Sequence, residues 1–178
     1  EKGLESLIAA ALPRQDADGG PQSDGVVDKP AIPYGKLVYV HGDPSHYDRD
    51  HAVDLDKLLA FLRVTQPRVV EQLAIDADGP KRREFLARLQ GQVTARGVVD
   101  VLRNGIKHGP ASVDLFYGTP SPGNIQAAQR YGANVFSVTR QLRYSRYEAG
   151  LALDLCLFIN GLPVVTFELK NRLTKQTV

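Results

Sequence analysis

The chain has 178 residues, a formal net charge of +2, 43% hydrophobic and 24% charged residues, which is enough for one domain with a buried core and excludes wholesale disorder. No run approaches the roughly 20 apolar residues of a membrane span. One cysteine and four histidines exclude a disulfide framework and a cysteine-rich zinc module, and point to a reducing compartment.

The near-neutral balance conceals a division. Residues 1–80 carry 8 Lys and Arg against 14 Asp and Glu, whereas residues 81–178 carry 14 against 6. The back half is therefore suited to a polyanion, unless its basic helices are simply solvated. Methionine is absent, and the amino end, with two glutamates and no long apolar core, does not read as a signal peptide. The chain is expected to be a piece of a longer protein.

In chain order, residues 1–12 read as a short amphipathic helix with Leu4, Leu7, Ile8 and Ala11 on one stripe and Glu5 at its edge. Residues 13–33, rich in Gly, Pro, Asp and Ser, read as a loop or linker. A short strand is expected at Lys36–Val40, polar turns at His41–Asp54, a helix at Leu55–Val64 with Leu55, Leu58, Leu59 and Leu62 on one face, and a second helix from Pro67 to Leu73. The longest helical pattern, the basic region 80–109, carries an apolar stripe from Phe85 to Ile106, with a break expected at Gly91 or Gly97. Strands at Val113–Tyr117 and Asn134–Tyr144 flank a short helix at Asn124–Tyr131, and two further strands, Leu151–Ile159 and Leu162–Lys170, surround Asn160-Gly161. Helices followed by a helix-flanked meander make an α/β or α+β layout.

The last two strands carry the chemistry. In both, the odd-numbered positions are apolar, from Leu151 to Ile159 and from Pro163 to Leu169, so the odd face should meet the main core. Cross-strand partners share a face, so paired numbers must have an even sum. A regular two-residue Asn160-Gly161 loop would pair Ile159 with Leu162, an odd sum, and send Asp154 and Glu168 to opposite faces. A three-residue turn or a bulge is therefore predicted.

With that irregularity, Asp154, Glu168 and Lys170 lie on one face of adjacent strands. Two carboxylates are natural oxygen ligands for Mg²⁺. A lysine beside them can orient an attacking water or offset charge on a phosphoryl group. The pattern fits phosphodiester hydrolysis. The bland alternative is a surface salt bridge, since Glu and Lys two apart on a strand are common. The nearly continuous apolar runs weigh against it, because a charged trio in a sheet covered on both faces needs compensation.

The run from Leu153 to Asn171, containing Asp154, the Asn160-Gly161 turn and Glu168-Leu169-Lys170, resembles the nuclease motif of the restriction (R) subunit of type I restriction-modification enzymes. Asn134–Ser145 is similar to the strand before it in that family, and Glu1–Ile8 to its opening helix; the resemblance does not extend to residues 13–54. The resemblance implies a PD-(D/E)xK restriction-endonuclease-like fold, a mixed central sheet flanked by helices, cutting DNA with Mg²⁺ or Mn²⁺. It implies Asp154 and Glu168 as metal ligands with the Leu169 carbonyl as a third, Lys170 as the catalytic lysine, and Glu5 as a first-helix glutamate assisting the metal, or else an ordinary exposed charge. The expected organisation is a single nuclease domain over 1–178, with its catalytic sheet in 112–170. Family members continue into a helix bearing a Gln and a Tyr, then into ATP-driven translocase domains, so ATP would serve only parts absent from this chain. The implied partners are double-stranded DNA and the modification and specificity subunits, in a bacterial or archaeal cytoplasm, with no membrane.

Other candidates carry less. Arg140, Arg143 and Arg146, interleaved with Tyr144 and Tyr147, could grip a DNA backbone or simply end a strand. The basic long helix could face DNA or another domain. His41, His46 and His51 with Asp43, Asp48 and Asp50 read as a polar loop sooner than a metal site, because a spacing of five suits neither helix nor strand ligation. Cys156 reads as small packing, and Thr119-Pro-Ser-Pro-Gly123 lacks the Lys-Ser/Thr ending of a phosphate loop. Two rival functions remain: a non-catalytic DNA-binding or docking module with a nuclease-like fold, and a stand-alone resolvase or repair nuclease.

Overall fold

A computed structural model of the chain describes residues 39–148 and 150–169. The expected helix at 1–12 with Glu5, the linker at 13–33 and Lys170 lie outside the described residues.

The described chain opens with β1 (Tyr39–His41), a 3-10 turn at Pro44–His46, and the antiparallel pair β2 (Tyr47–Asp48) and β3 (Val53–Asp54). Helix α1 (Leu55–Thr65) starts where the Asp54 side chain accepts the Lys57 N–H at 3.1 Å, satisfying one of the free amides of the first turn. It buries Leu58, Leu59, Phe61 and Leu62. Helix α2 (Pro67–Leu73) begins on a proline, whose missing N–H is harmless there. The long basic pattern breaks at Gly97, giving α3 (Pro80–Arg96) and α4 (Val98–Asn104). Gly97 has φ +83°, a backbone region that favours glycine. Gly91 stays within α3.

Two expectations change. The helix does not reach Lys107: residues after Gly105 form β4 (Ile106–His108), paired antiparallel with β5 (Ala111–Val113). Gly105 has φ +62°, and a Cβ there would lie 2.4 Å from the Val113 carbonyl oxygen, so the chain turns sharply where only glycine fits. The strand expected at Val113–Tyr117 ends at Val113. The reason is side-chain competition for the backbone. The Gln66 amide bonds both the N–H and the carbonyl of Asp114, at 2.9 and 2.7 Å. Asn134 does the same at Tyr117, at 3.2 and 2.7 Å.

Helix α5 (Ile125–Gly132) is capped by Asn124, which accepts the Ala127 N–H at 2.9 Å. Then come β6 (Phe136–Arg143), β7 (Ala152–Ile159) and β8 (Leu162–Phe167). The principal sheet has the order β1-β6-β7-β8, with β1 parallel to β6 and the other neighbours antiparallel. A mixed sheet of four strands with five helices among the described residues is the α/β class expected of a PD-(D/E)xK nuclease.

The largest apolar cluster belongs to the helices, not to the odd face of β7. It gathers Leu58, Phe61, Ile75, Phe85, Leu89 and Val101 with β4, β5 and the turn end of the last hairpin through Leu162. The sheet has smaller cores of its own: Val138 and Leu155 in one, and Leu142, Cys156 and Phe158 in the other. Both odd and even positions of β7 are thus buried, so this strand is covered on both faces. On β8, by contrast, Val165 and Phe167 are 42% and 37% exposed.

Candidate active site

The hairpin turn has two residues, and both have positive φ: Asn160 at 50° and Gly161 at 83°. This is the geometry that matches a two-residue connection to the twist of its strands. Ile159 consequently pairs with Leu162 and Phe158 with Pro163. The predicted irregularity follows at once. The register shifts between Leu157 and Phe158, so that Leu157 pairs with Val165, Cys156 with Thr166 and Leu155 with Phe167. Val164 is the extra residue of a β-bulge. From Leu157 onward the paired numbers have the even sum that the apolar pattern requires.

Asp154 and Glu168 are the next residues along the chain from the last pair, Leu155–Phe167. The Leu169 N–H donates to Asp154 Oδ2 at 2.6 Å, so the chain just after β8 lies against this carboxylate. The other oxygen, Oδ1, accepts from Gln141 Nε2 at 3.3 Å. Gln141 occupies the same rung on the far side of β7, between the pairs Arg140–Leu155 and Leu142–Leu153. Asp154 is half-buried and Glu168 exposed. Leu169 packs against Val138 and Leu155.

The donor set suits a hard divalent cation. Asp154, Glu168 and the Leu169 carbonyl offer oxygen only, and each Asp154 oxygen accepts one N–H and keeps a second lone pair that could face a metal. Cys156, two residues along β7, is buried, and burial pushes its thiol up to about 12, as for a small packing group. Among the described residues no group of three or more His, Cys, Asp or Glu gathers.

Residues 83–178, more than half of the chain, match the family model described as the type I restriction enzyme R protein N terminus. The chain belongs to that family. The match begins within α3 and takes in the whole β6–β8 meander, whereas β1, α1 and α2 precede it. No curated protein and no solved structure is a significant match.

Within this R-protein domain the other sequence candidates are distributed differently. Arg146 reaches back to the loop after β2, donating to the Arg49 carbonyl at 3.2 Å and lying 3.2 Å from the Asp50 carboxylate. It ties the end of β6 to the front of the chain, beside a cavity of about 450 Å³ that also touches Ser45 and Tyr47. Arg140 is half-buried opposite Leu155, and Arg143 is exposed at the end of β6. Two of the three histidines meet carboxylates: His51 lies 2.9 Å from Asp48, and His46 lies 3.1 Å from Asp56 and 4.0 Å from Asp43. Burial opposes ionisation of Asp48, yet its bonds from the His51 ring and backbone hold its carboxyl below the ordinary value. The segment expected as polar turns also holds the short β2–β3 pair.

Sequence reasoning passed over two residues. Asn160 was read only as a turn residue, yet it is fully buried. Its side chain accepts the Val135 N–H at 2.6 Å and donates to the Leu115 carbonyl and to Asn134 Oδ1, both at 2.9 Å. Gln141 lay unremarked among three successive polar residues, Thr139-Arg140-Gln141. That interruption of strand alternation was its available signal.

Proposed function

We propose that this domain is the Mg²⁺-dependent endonuclease of a type I restriction R subunit, hydrolysing DNA phosphodiester bonds. The observation that supports the reading is the Leu169 N–H bond to Asp154 at the open end of the bulged β7–β8 hairpin, within a chain of the R-protein family.

In this reading Asp154, Glu168 and the Leu169 carbonyl would hold Mg²⁺ or Mn²⁺. When bound, such an ion lowers the pKa of a coordinated water and offsets charge on the phosphoryl oxygens. The protein's own contribution is placement. The Leu169 N–H and the Gln141 amide orient the Asp154 carboxylate, and exposure of Glu168 leaves room for a duplex. Lys170, next in sequence to Leu169, orients the attacking water or meets the charge on the phosphoryl group. Glu5 is a further candidate for the metal. Arg140, Arg143 and Arg146 would contact the DNA backbone, which demands cations without base specificity. The partners are double-stranded DNA and, in the assembled enzyme, the modification and specificity subunits. ATP would be used only by translocase domains. No helix among the described residues is long and apolar enough to cross a membrane.

The test is Asp154→Ala or Lys170→Ala in the assembled enzyme. DNA cleavage should fall by about 10³-fold or more, as expected for loss of a metal ligand or charge-stabilising group, while ATP hydrolysis persists. Retained cleavage would refute the site and leave the domain as a non-catalytic docking module.

A further inference from the structure

Three observations meet at one rung of the sheet and are not explained by packing. The first is conformational. Gln141 has φ +49°, a left-handed backbone that a non-glycine residue enters only with strain. The second is topological. Val138 and Leu142 have the same parity on β6, so they should share a face, yet they lie in different clusters: Val138 with Leu155, Leu142 with Cys156 and Phe158. On β7, Leu153 and Leu155 are divided in the same way. The alternation of both strands therefore breaks at the Gln141–Asp154 rung. The third is chemical. The Gln141 amide, brought to this rung, donates to Asp154 Oδ1 while Leu169 N–H holds Oδ2.

We propose that Gln141 is a positioning residue for the metal site: its left-handed backbone re-aims the side chain along the strand so that its amide fixes the rotation of the Asp154 carboxylate. The inference rests on the functional reading above, in which Asp154 is a metal ligand. The physical case is that of an irregular strand residue re-aiming a side chain beside a site. A carboxylate held at both oxygens presents its remaining lone pairs in one orientation. A carboxylate held only by the Leu169 N–H can rotate, and the cation must then order it on binding. Partners that orient a ligand in this way typically contribute 10–100-fold in metal affinity. A neutral amide is suited to the task because it adds no charge to compete with the cation. A purely structural role would have favoured glycine or asparagine, which adopt φ > 0 at lower cost.

Gln141→Gly separates the two roles, because it relieves the backbone and removes the amide together. In the full-length R subunit without ATP, Mn²⁺ binding is followed by electron paramagnetic resonance, with Asp154→Ala defining the signal that belongs to this site. Gln141→Gly should weaken that binding about tenfold and raise the Mg²⁺ needed for half-maximal DNA cleavage by the same factor, with no loss of thermal stability. Wild-type Mn²⁺ affinity in Gln141→Gly, beside lost binding in Asp154→Ala, overturns the inference and leaves the proposed function standing. Weakened binding that comes with a matching fall in melting temperature assigns Gln141 to the fold and also overturns it. Unchanged Mn²⁺ binding and cleavage in Asp154→Ala removes the functional reading itself, and this inference with it.

Discussion

The two ends of the β7–β8 hairpin are built from the same strands and treated in opposite ways. At the turn end, Asn160, Gly161 and Leu162 are buried in the helical core, every side-chain polar group of Asn160 is engaged, and the Gly161 carbonyl accepts the Asp54 N–H at 2.8 Å. At the open end, Glu168 is exposed, Asp154 is half-buried, and strand pairing stops at Leu155–Phe167. Between them lies a single bulge at Val164. The turn end anchors the hairpin to the helices, and the open end inherits a defined register without being packed shut. The proposed site, which would admit a cation and a duplex, needs that combination, since ligands are placed best by rigid elements and lost to substrate if buried.

If this division holds, substitutions at the turn end should change stability and spare the metal site, whereas those at Asp154 and Gln141 should do the reverse. The largest stability effect is expected for Gly161→Ala. A Cβ there would lie 2.4 Å from the Asp54 carbonyl oxygen and 2.7 Å from Leu58 N, both backbone atoms at the start of α1 that cannot move aside cheaply. Overpacking of about 1–3 kcal/mol adds to about 1–2 kcal/mol for a left-handed non-glycine residue. Urea unfolding of the chain should show a fall in midpoint corresponding to about 4 kcal/mol. A midpoint within experimental error of wild type would break the comparison, because the turn would then not be an anchor. Asn160→Ala should cost somewhat less, about 3 kcal/mol, by stranding the Val135 N–H and the Leu115 carbonyl without hydrogen-bond partners. Mn²⁺ affinity per folded molecule should stay at the wild-type level, and a parallel loss of affinity would mean that the two ends are not separable.

Much of this division was legible in the chain. The apolar parity of residues 151–169 demanded an even register, which a three-residue turn or a bulge would supply, and the structure keeps the two-residue Asn160-Gly161 turn and uses the bulge. The helices at Leu55 and Pro67 were legible for similarly local reasons, a capping aspartate and a first-turn proline. What remained hidden was non-local. Nothing near residues 114–117 announces that Gln66 and Asn134 will claim their backbone groups and end a strand. The depth of Asn160 depends on helices a hundred residues earlier, and the role of Gln141 becomes visible only once β6 and β7 are in register. Of the candidate site, Asp154 and Glu168 were legible as two carboxylates on the last hairpin. Lys170 and Glu5 lie outside the described residues, so their placement is a matter for mutation.

The smallest effect sharpens the turn end from beneath. Asp54 is 1% exposed. One oxygen caps α1 through the Lys57 N–H, and Oδ2 is buried with no hydrogen-bond partner among the described residues. Burial raises its pKa above the ordinary 3.8, outweighing the opposing pull of the Lys57 N–H and of the nearby Lys57 and His46 charges. A raised carboxyl pKa means that the fold favours the neutral acid. Its stabilising difference is therefore present below the unfolded value near 3.8 and is lost as pH rises through the folded value. Asp54→Asn keeps the cap, since Asn and Asp serve nearly equally there, and removes the titration. The variant should match wild type near pH 3 and be the more stable of the two at pH 7, in urea midpoints measured across that range. A wild type that gains on the variant as pH rises would show that the charged cap stabilises the anchor. The turn end would then be held by electrostatics at the start of α1 as much as by the packing of Gly161 upon it.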